Sequence, residues 1–371
     1  MMPKLFLVIN VDWFFLSHRK EVALAALNEG YDVTLVAHDT GKRAIIEAMG
    51  IHFINLPINP TGMNPLQELR TLHFFVRLFR REKPDIVHLV GVKCLLWGGL
   101  AARLTGIKKV VNAVSGLGIL FGEEHNSLFK RIILRMLKFA NDHKGVYFLF
   151  QNKDDYQAFM SYGIAKEPQC YFTKGSGIDL KEYAYTPERP AERLHILFTA
   201  RMVREKGVLD LISAAELLRK DYSGRIDFWL CGAISPNPDA VKEEELHALC
   251  DNRYIRWFGL CHDVHERLQD SHIVAFPSYY REGIPKSLIE ACAIGRPIIT
   301  CNSIGCKEVV ENGYNGFLIA PRSPHELAER LRQLIEDKQL RQTMGQHARL
   351  FAEQNFAIEN VVQTHLQLYK L

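Results

Sequence analysis

Short β-rich apolar runs alternate with helix-period segments along all 371 residues of this chain, and no other feature constrains its fold as strongly. LFLVIN (5–10) precedes a helical stretch expected from Ser17 to Glu29, YDVTLVA (31–37) precedes KRAIIEAMG, and HFINL (52–56) precedes a long basic helix around 65–82. IVHLV (86–90), KKVVNAV (108–114) and GVYFLF (145–150) lead into helices through Arg103, over 127–140 and over 153–162, and a strand near 170–173 closes the set. YTPERPAER (185–193), rich in proline and charge, reads as a linker. The alternation then restarts with LHILFTA (194–200), IDFWLCG, YIRWFG, IVAFPS (273–278), PIITC and GFLIA, followed by mostly helical sequence from 324. Parallel neighbours need crossover connections, usually helices, so each set predicts a parallel sheet covered on both faces. The expected fold class is α/β, with two doubly wound domains, 1–185 and 186–356, facing across a cleft. A helix at about 357–371 is expected to pack back on the first. Ligands of such sheets bind where the strands end in carboxyl termini and helix N-termini face the crevice.

Composition removes several function classes. At 47% hydrophobic and 24% charged, the chain is globular rather than disordered. LFLVINV is broken by Asp12, so it reads as a first strand and not a signal peptide. No run of 18 uncharged apolar residues exists to span a membrane, which places the expected site of action in the cytoplasm. Eight cysteines without a CxxC pair point to a reducing compartment and no structural metal. After the first strand the chain reads NVDWFFLSHR, without GxGxxG, which disfavours a dehydrogenase.

The net charge of +4 conceals a concentration of 13 Lys and Arg against 5 Asp and Glu in residues 64–138. Such a field suits an anionic partner, and the lack of any zinc-finger or RRM signature speaks against nucleic acid. In LFKRIILRMLKF (128–139), Arg131, Arg135 and Lys138 share a face at i, i+4, i+7, with Leu128, Ile132 and Ile133 elsewhere; HFFVRLFRREK (73–83) repeats the pattern. A core-packed helix with a solvated basic face needs no further role. Two in one basic region favour docking on an anionic membrane surface, as a peripheral protein on its inner face.

Two stretches could carry chemistry. In FTARMVREKGVLDL, Arg201 follows a strand end and Lys206 opens a helix. Two fixed cations there could neutralise a pyrophosphate leaving group, although single loop charges are commonly just solvated. In REGIPKSLIEACAIGRPIIT (281–300), Pro285 suits a first helical turn, so the Lys286 and Ser287 amides are expected to face phosphate oxygens. Glu290 lies a turn inside that helix, and the Gly283-Ile284-Pro285 interruption keeps Glu282 off its face. The carboxylates therefore address different parts of one ligand rather than acting as an acid/base pair on one bond.

AR…EKG followed by EGIPKSLIEACAIGRPII resembles the retaining, nucleotide-sugar-dependent glycosyltransferases of family four, which have the GT-B fold of two Rossmann-like domains. Glu282 and Glu290 match that family's two glutamates separated by seven residues; KGSGIDLKEY (174–183) and GCKEVVENGYNGFLI (305–319) resemble further family segments, with Ser176 in place of an asparagine. The resemblance implies Glu282, Arg201 and Lys206 as catalytic residues, and a donor site of Arg201, Lys206, Gly283, Ile284, Pro285, Lys286, Ser287 and Glu290. Glu290 would take the ribose hydroxyls and Glu282 the donor sugar. No metal or other cofactor is expected, since the two cations replace one and no Asp-x-Asp triplet occurs. The N-terminal half departs from the common pattern at 12–19 and at Ser115-Gly116-Leu117-Gly118, and with HLVGVKCLLWGGLAARLTG (88–106) resembles a subgroup acting on undecaprenyl-diphosphate-linked saccharides in bacterial O-antigen, capsule or N-glycan assembly. That implies a UDP-sugar donor, a lipid-linked saccharide acceptor, and Ser17, His18, Lys93, Ser115, Gly116 and Gly118 on the acceptor side. His18 and His88 could equally pack or sit at strand ends. A UDP-sugar epimerase of the same fold and a non-catalytic nucleotide-sugar-binding subunit are the alternatives. A phosphorylase-like enzyme would need a longer chain.

Overall fold

Seven parallel strands form one sheet: β1 (Lys4–Val11), β2 (Asp32–His38), β3 (His52–Asn55), β4 (Ile86–Val90), β5 (Lys109–Val114), β6 (Val146–Phe150) and β7 (Cys170–Phe172), in the order β3-β2-β1-β4-β5-β6-β7. Between them run α1 (Asp12–His18), α2 (Lys20–Asn28), α3 (Arg43–Glu47), α4 (Pro65–Glu82), α5 (Val92–Thr105), α6 (Leu128–Asn141) and α7 (Lys153–Ser161). A second parallel sheet holds β8 (Leu194–Thr199), β9 (Ile226–Cys231), β10 (Ile255–Trp257), β11 (Ile273–Phe276), β12 (Ile298–Cys301) and β13 (Gly316–Ile319), ordered β10-β9-β8-β11-β12-β13. Its helices are α8 (Val208–Tyr222), α9 (Glu243–Leu249), α10 (Val264–Asp270), α11 (Lys286–Ile294), α12 (Pro324–Glu336) and α13 (Lys338–Asn355), and α14 (Ile358–Lys370) ends the chain. This computed structural model describes residues 2–59, 64–117, 128–235 and 240–371.

Strand order reverses between β1 and β4 in the first sheet and between β8 and β11 in the second. At such switch points the crossovers leave to opposite faces and the strand carboxyl ends open a crevice. Successive side chains of a strand point to opposite faces, so a sheet covered on both sides needs apolar residues at every position. β1 shows this directly. Phe6 and Val8 join the core beneath α4 to α7, whereas Leu5, Leu7 and Ile9 join the core beneath α2 and α14.

The chain divides into Met1–Ser176 with Ile358–Leu371, and Gly177–Ala357. The division thus falls at 176/177 rather than at 185/186, because the chain before the proline-rich stretch is already tied into the second unit. Ile178 is buried in that unit's core and its amide donates to Phe356 O, while Arg349 donates to the carbonyls of Leu180 and Tyr183. The Thr186 amide then bonds to Ile294 O.

Two further expectations are corrected, and His88 is placed. The first helical segment begins at Asp12, not Ser17, and is broken at Arg19 (φ −135°, ψ −1°) into α1 and α2. Asp12 is fully buried, and its carboxylate accepts from the Thr40 and Lys42 amides at 2.7 and 3.1 Å and from the Thr40 hydroxyl. His88 takes the packing role offered for it: it is fully buried, with Nδ1 2.5 Å from Tyr369 Oη on α14. On α6 the core side is Leu134, Leu137 and Ala140 with Lys130 turned inward, and Leu128 and Ile132 face solvent beside the arginines.

Candidate active site

The second unit's switch point gathers most of the residues picked out by sequence. The β8 strand delivers Arg201, which is exposed, to its carboxyl end, and a tight 3-10 turn, Arg204–Lys206, carries Lys206 inward. Gly207 closes the turn at φ +78°, and a Cβ there would stand 2.1 Å from Pro277 O, so only glycine lets this loop seat against the one after β11. The seating is cemented by backbone bonds from the Tyr279 and Tyr280 amides to Glu205 O at 2.9 and 3.1 Å.

That contact brings Lys206 Nζ to 2.6 Å from Glu282 Oε2, in an ion pair whose side chains are only 11% and 16% exposed. The ammonium also lies 5.3 Å and 5.2 Å from the Phe276 and Tyr280 ring centroids, within cation–π range. Ser278, at the end of β11 and fully buried, donates to Glu282 Oε1 at 3.0 Å. Both carboxylate oxygens of Glu282 are thus held. Gly283 and Ile284 are buried, and Gly305 crowds the same turn: at φ +85°, its Cβ would meet Gly283 O at 1.8 Å.

Pro285 caps α11, whose first helical bonds run from the Leu288 and Ile289 amides to Pro285 O, so Lys286 and Ser287 precede the hydrogen-bonded ladder. Glu290 sits one turn in. Burial pushes its carboxyl above the usual range, with the Lys286 ammonium 3.8 Å away and a hydrogen bond from Tyr183 Oη at 3.3 Å opposing the shift. Glu282 and Glu290 therefore have separate partners, as the interruption between them requires. Tyr183 is held from behind by Arg349, which also bonds Ala293 O at the end of α11, and its ring lies tilted against His265 at 4.7 Å between centroids.

Tyr183, Ser278 and Tyr280 were not singled out by sequence. Ser278 could have been, since it stands at the carboxyl end of a strand. Nothing local marks Tyr183, which approaches Glu290 across 107 residues. Among the described residues, no three His, Cys, Asp or Glu side chains are grouped to hold a metal ion.

In the first unit, Ser17 and His18 end α1, with Ser17 Oγ 2.6 Å from His18 Nδ1 and the imidazole stacked on Phe14 at 4.0 Å. Lys93, at the start of α5, pairs with Glu68 at 2.7 Å and donates to Asn59 O at 2.8 Å, while Trp97 holds the other oxygen of Glu68. Its charge is already engaged. Ser115 and Gly116 follow β5 and are half-buried; Gly118 lies outside the described residues.

Residues 183–351 match the family described as glycosyl transferases group 1, and residues 4–143 match glycosyl transferase 4-like. The chain is 26% identical over 344 residues, 86% of each protein, to N,N'-diacetylbacillosaminyl-diphospho-undecaprenol alpha-1,3-N-acetylgalactosaminyltransferase of Campylobacter jejuni. It is 23% identical over 325 residues, 84% of this chain and 82% of the other, to UDP-Gal:alpha-D-GlcNAc-diphosphoundecaprenol alpha-1,3-galactosyltransferase of Escherichia coli. The crystal structure of HepE from Anabaena in complex with UDP superposes over 100% of both chains with a TM-score of 0.77 at 21% identity.

Proposed function

Because the chain is a glycosyltransferase of the GT-B fold, belonging in its two halves to the 4-like and group 1 families, we propose that it moves a hexose or N-acetylhexosamine from a UDP-sugar to an undecaprenyl-diphosphate-linked saccharide. The transfer retains the anomeric configuration and needs no metal. The observation that carries this reading is the buried Lys206–Glu282 pair beside α11 at the second switch point. The names of the Campylobacter and Escherichia relatives support the lipid-linked acceptor, and the latter name and the HepE complex support UDP.

In this reading Lys206 exchanges Glu282 for the donor diphosphate, joined by Arg201 and the amides of Lys286 and Ser287, so charge developing on the leaving group meets fixed cations. Glu282, released, turns to the donor sugar, and Glu290 accepts from the ribose hydroxyls. The acceptor hydroxyl attacks on the leaving-group side. The bond from anomeric carbon to phosphate oxygen breaks, the new glycosidic bond forms on the same face, and the departing phosphate takes the hydroxyl proton.

The test is a panel of UDP-hexoses and UDP-N-acetylhexosamines against undecaprenyl-diphosphate-linked saccharides, with and without EDTA. Product mass and anomeric configuration are read out. A mass gain of one sugar with retained configuration, undiminished by EDTA, is expected. An isomerised UDP-sugar without acceptor would install the epimerase reading instead.

A further inference from the structure

The outward sides of α5 and α6 merge into one surface. Gly99 permits this, since a Cβ there would stand 3.1 Å from Asn141 Oδ1 and 3.6 Å from Ala140 Cβ on α6. On this surface Leu104, Leu128, Ile132 and Phe139 are 55%, 71%, 45% and 53% exposed. Leu100, Ile132, Arg135, Met136 and Phe139 line an open crevice of about 350 Å³ between the helices. Leu128, Ile132, Met136 and Phe139 recur at i, i+4, i+8 and i+11, so the apolar groups form a stripe along α6. Exposed Arg131, Arg135 and Lys138 border it, and the Arg103 guanidinium lies 4.0 Å over the Phe139 ring. Neither helix contains an aspartate or a glutamate.

A merely solvated basic face would have turned these large apolar side chains inward, and soluble surfaces rarely group them. The occupant must therefore offer apolar contact and negative charge together. A second copy of the chain would oppose one predominantly basic surface to another, which is repulsive. A bilayer rich in anionic lipid offers both: acyl chains for the stripe and crevice, headgroups for the cations beside them. We infer that the α5–α6 face docks on an anionic bilayer with its apolar stripe in the acyl boundary. The inference rests on the proposed function for its purpose only, because a lipid-linked acceptor is held in such a bilayer.

The test is sedimentation of the full chain with vesicles of phosphatidylcholine alone or mixed with phosphatidylglycerol. Wild type should pellet with the mixed vesicles, and salt should release part of it. Arg131→Gln/Arg135→Gln/Lys138→Gln should weaken partition roughly 100-fold, from about fivefold per basic residue near an anionic surface. Ile132→Ser/Phe139→Ser should still bind at low salt but be released completely by salt that wild type withstands. With a water-soluble short-chain acceptor, both variants should match wild type; with vesicle-embedded acceptor, both should lose about tenfold or more in rate. Variants that pellet like wild type would overturn the inference, as would wild type staying in solution or a self-association in the ultracentrifuge abolished by Ile132→Ser/Phe139→Ser. Failure of transfer to every acceptor would count against the proposed function and leave the vesicle measurement standing.

Discussion

Lys206 and Glu282 satisfy each other at 2.6 Å before any ligand arrives, so the diphosphate has to displace an internal carboxylate. Removing the cation should cost more than removing its partner. Lys206→Ala or Arg201→Ala is expected to lower kcat by roughly 10²–10³-fold in steady-state kinetics, the scale of losing one charge-stabilising donor. Glu282→Gln should bind UDP alone more tightly while losing turnover, which product-inhibition constants would report. Tyr183 supplies a separate handle. Its hydrogen bond lowers the carboxyl pKa of Glu290 against burial, so Tyr183→Phe should raise that pKa further. Ribose binding needs the carboxylate, so donor KM rises as pH falls through the Glu290 pKa. In Tyr183→Phe that acid limb should move to higher pH, with kcat at neutral pH little changed; a loss without a moved limb would mark Tyr183 as packing alone. The two glutamates and the two cations were legible in the sequence because they stand at strand ends and helix starts. Tyr183 was not, since its relation to Glu290 is made only by the tertiary fold.

The helices illustrate what periodicity can and cannot show. The α4 helix runs Pro65–Glu82, as the long basic segment predicted, because Asn64 caps the Leu66 amide and Pro65 fits the first helical turn. Its Glu68 turns instead to Lys93, a pairing between helices that no local pattern announces. The α6 helix has the predicted length, but which of its faces meets the core depends on where α5 lies. α14 carries the clearest consequence for stability. Burial holds His365 down to about 3 and His88 well below the ordinary imidazole range. Both are neutral in the folded protein, and the unfolded chain takes up their protons first as pH falls. Their contribution to stability is complete above about pH 6.5 and is lost progressively toward pH 3. Thermal melts between pH 7 and 4 should therefore show the first unit weakening as acid is added. Tyr369→Phe, which leaves His88 Nδ1 without its partner, should cost that unit about 1–3 kcal/mol by denaturant titration.

At the scale of the whole chain, the two sheets reverse their strand order at equivalent places, yet chemistry-bearing residues collect at the second and paired or packed ones at the first. Adding UDP should accordingly slow amide exchange at 201–207 and 278–290, and leave 17–18 and 115–116 unchanged; protection confined to the first unit would reverse the assignment of the donor. The mixed basic and apolar face of α5 and α6 belongs to the other unit, which the excess of basic residues at 64–138 foreshadowed and the sequence could not resolve into faces. The first unit is also discontinuous, taking Leu368 and Tyr369 into its core from the far end of the chain. During synthesis, then, the unit whose strands emerge first is finished last. Residues 177–357 can close their own core while the earlier sheet still waits, with Tyr31 and His88 lacking their α14 neighbours, for that helix to leave the ribosome. A chain cut short near its end would carry a complete half beside one that chaperones and proteases can recognise as unfinished.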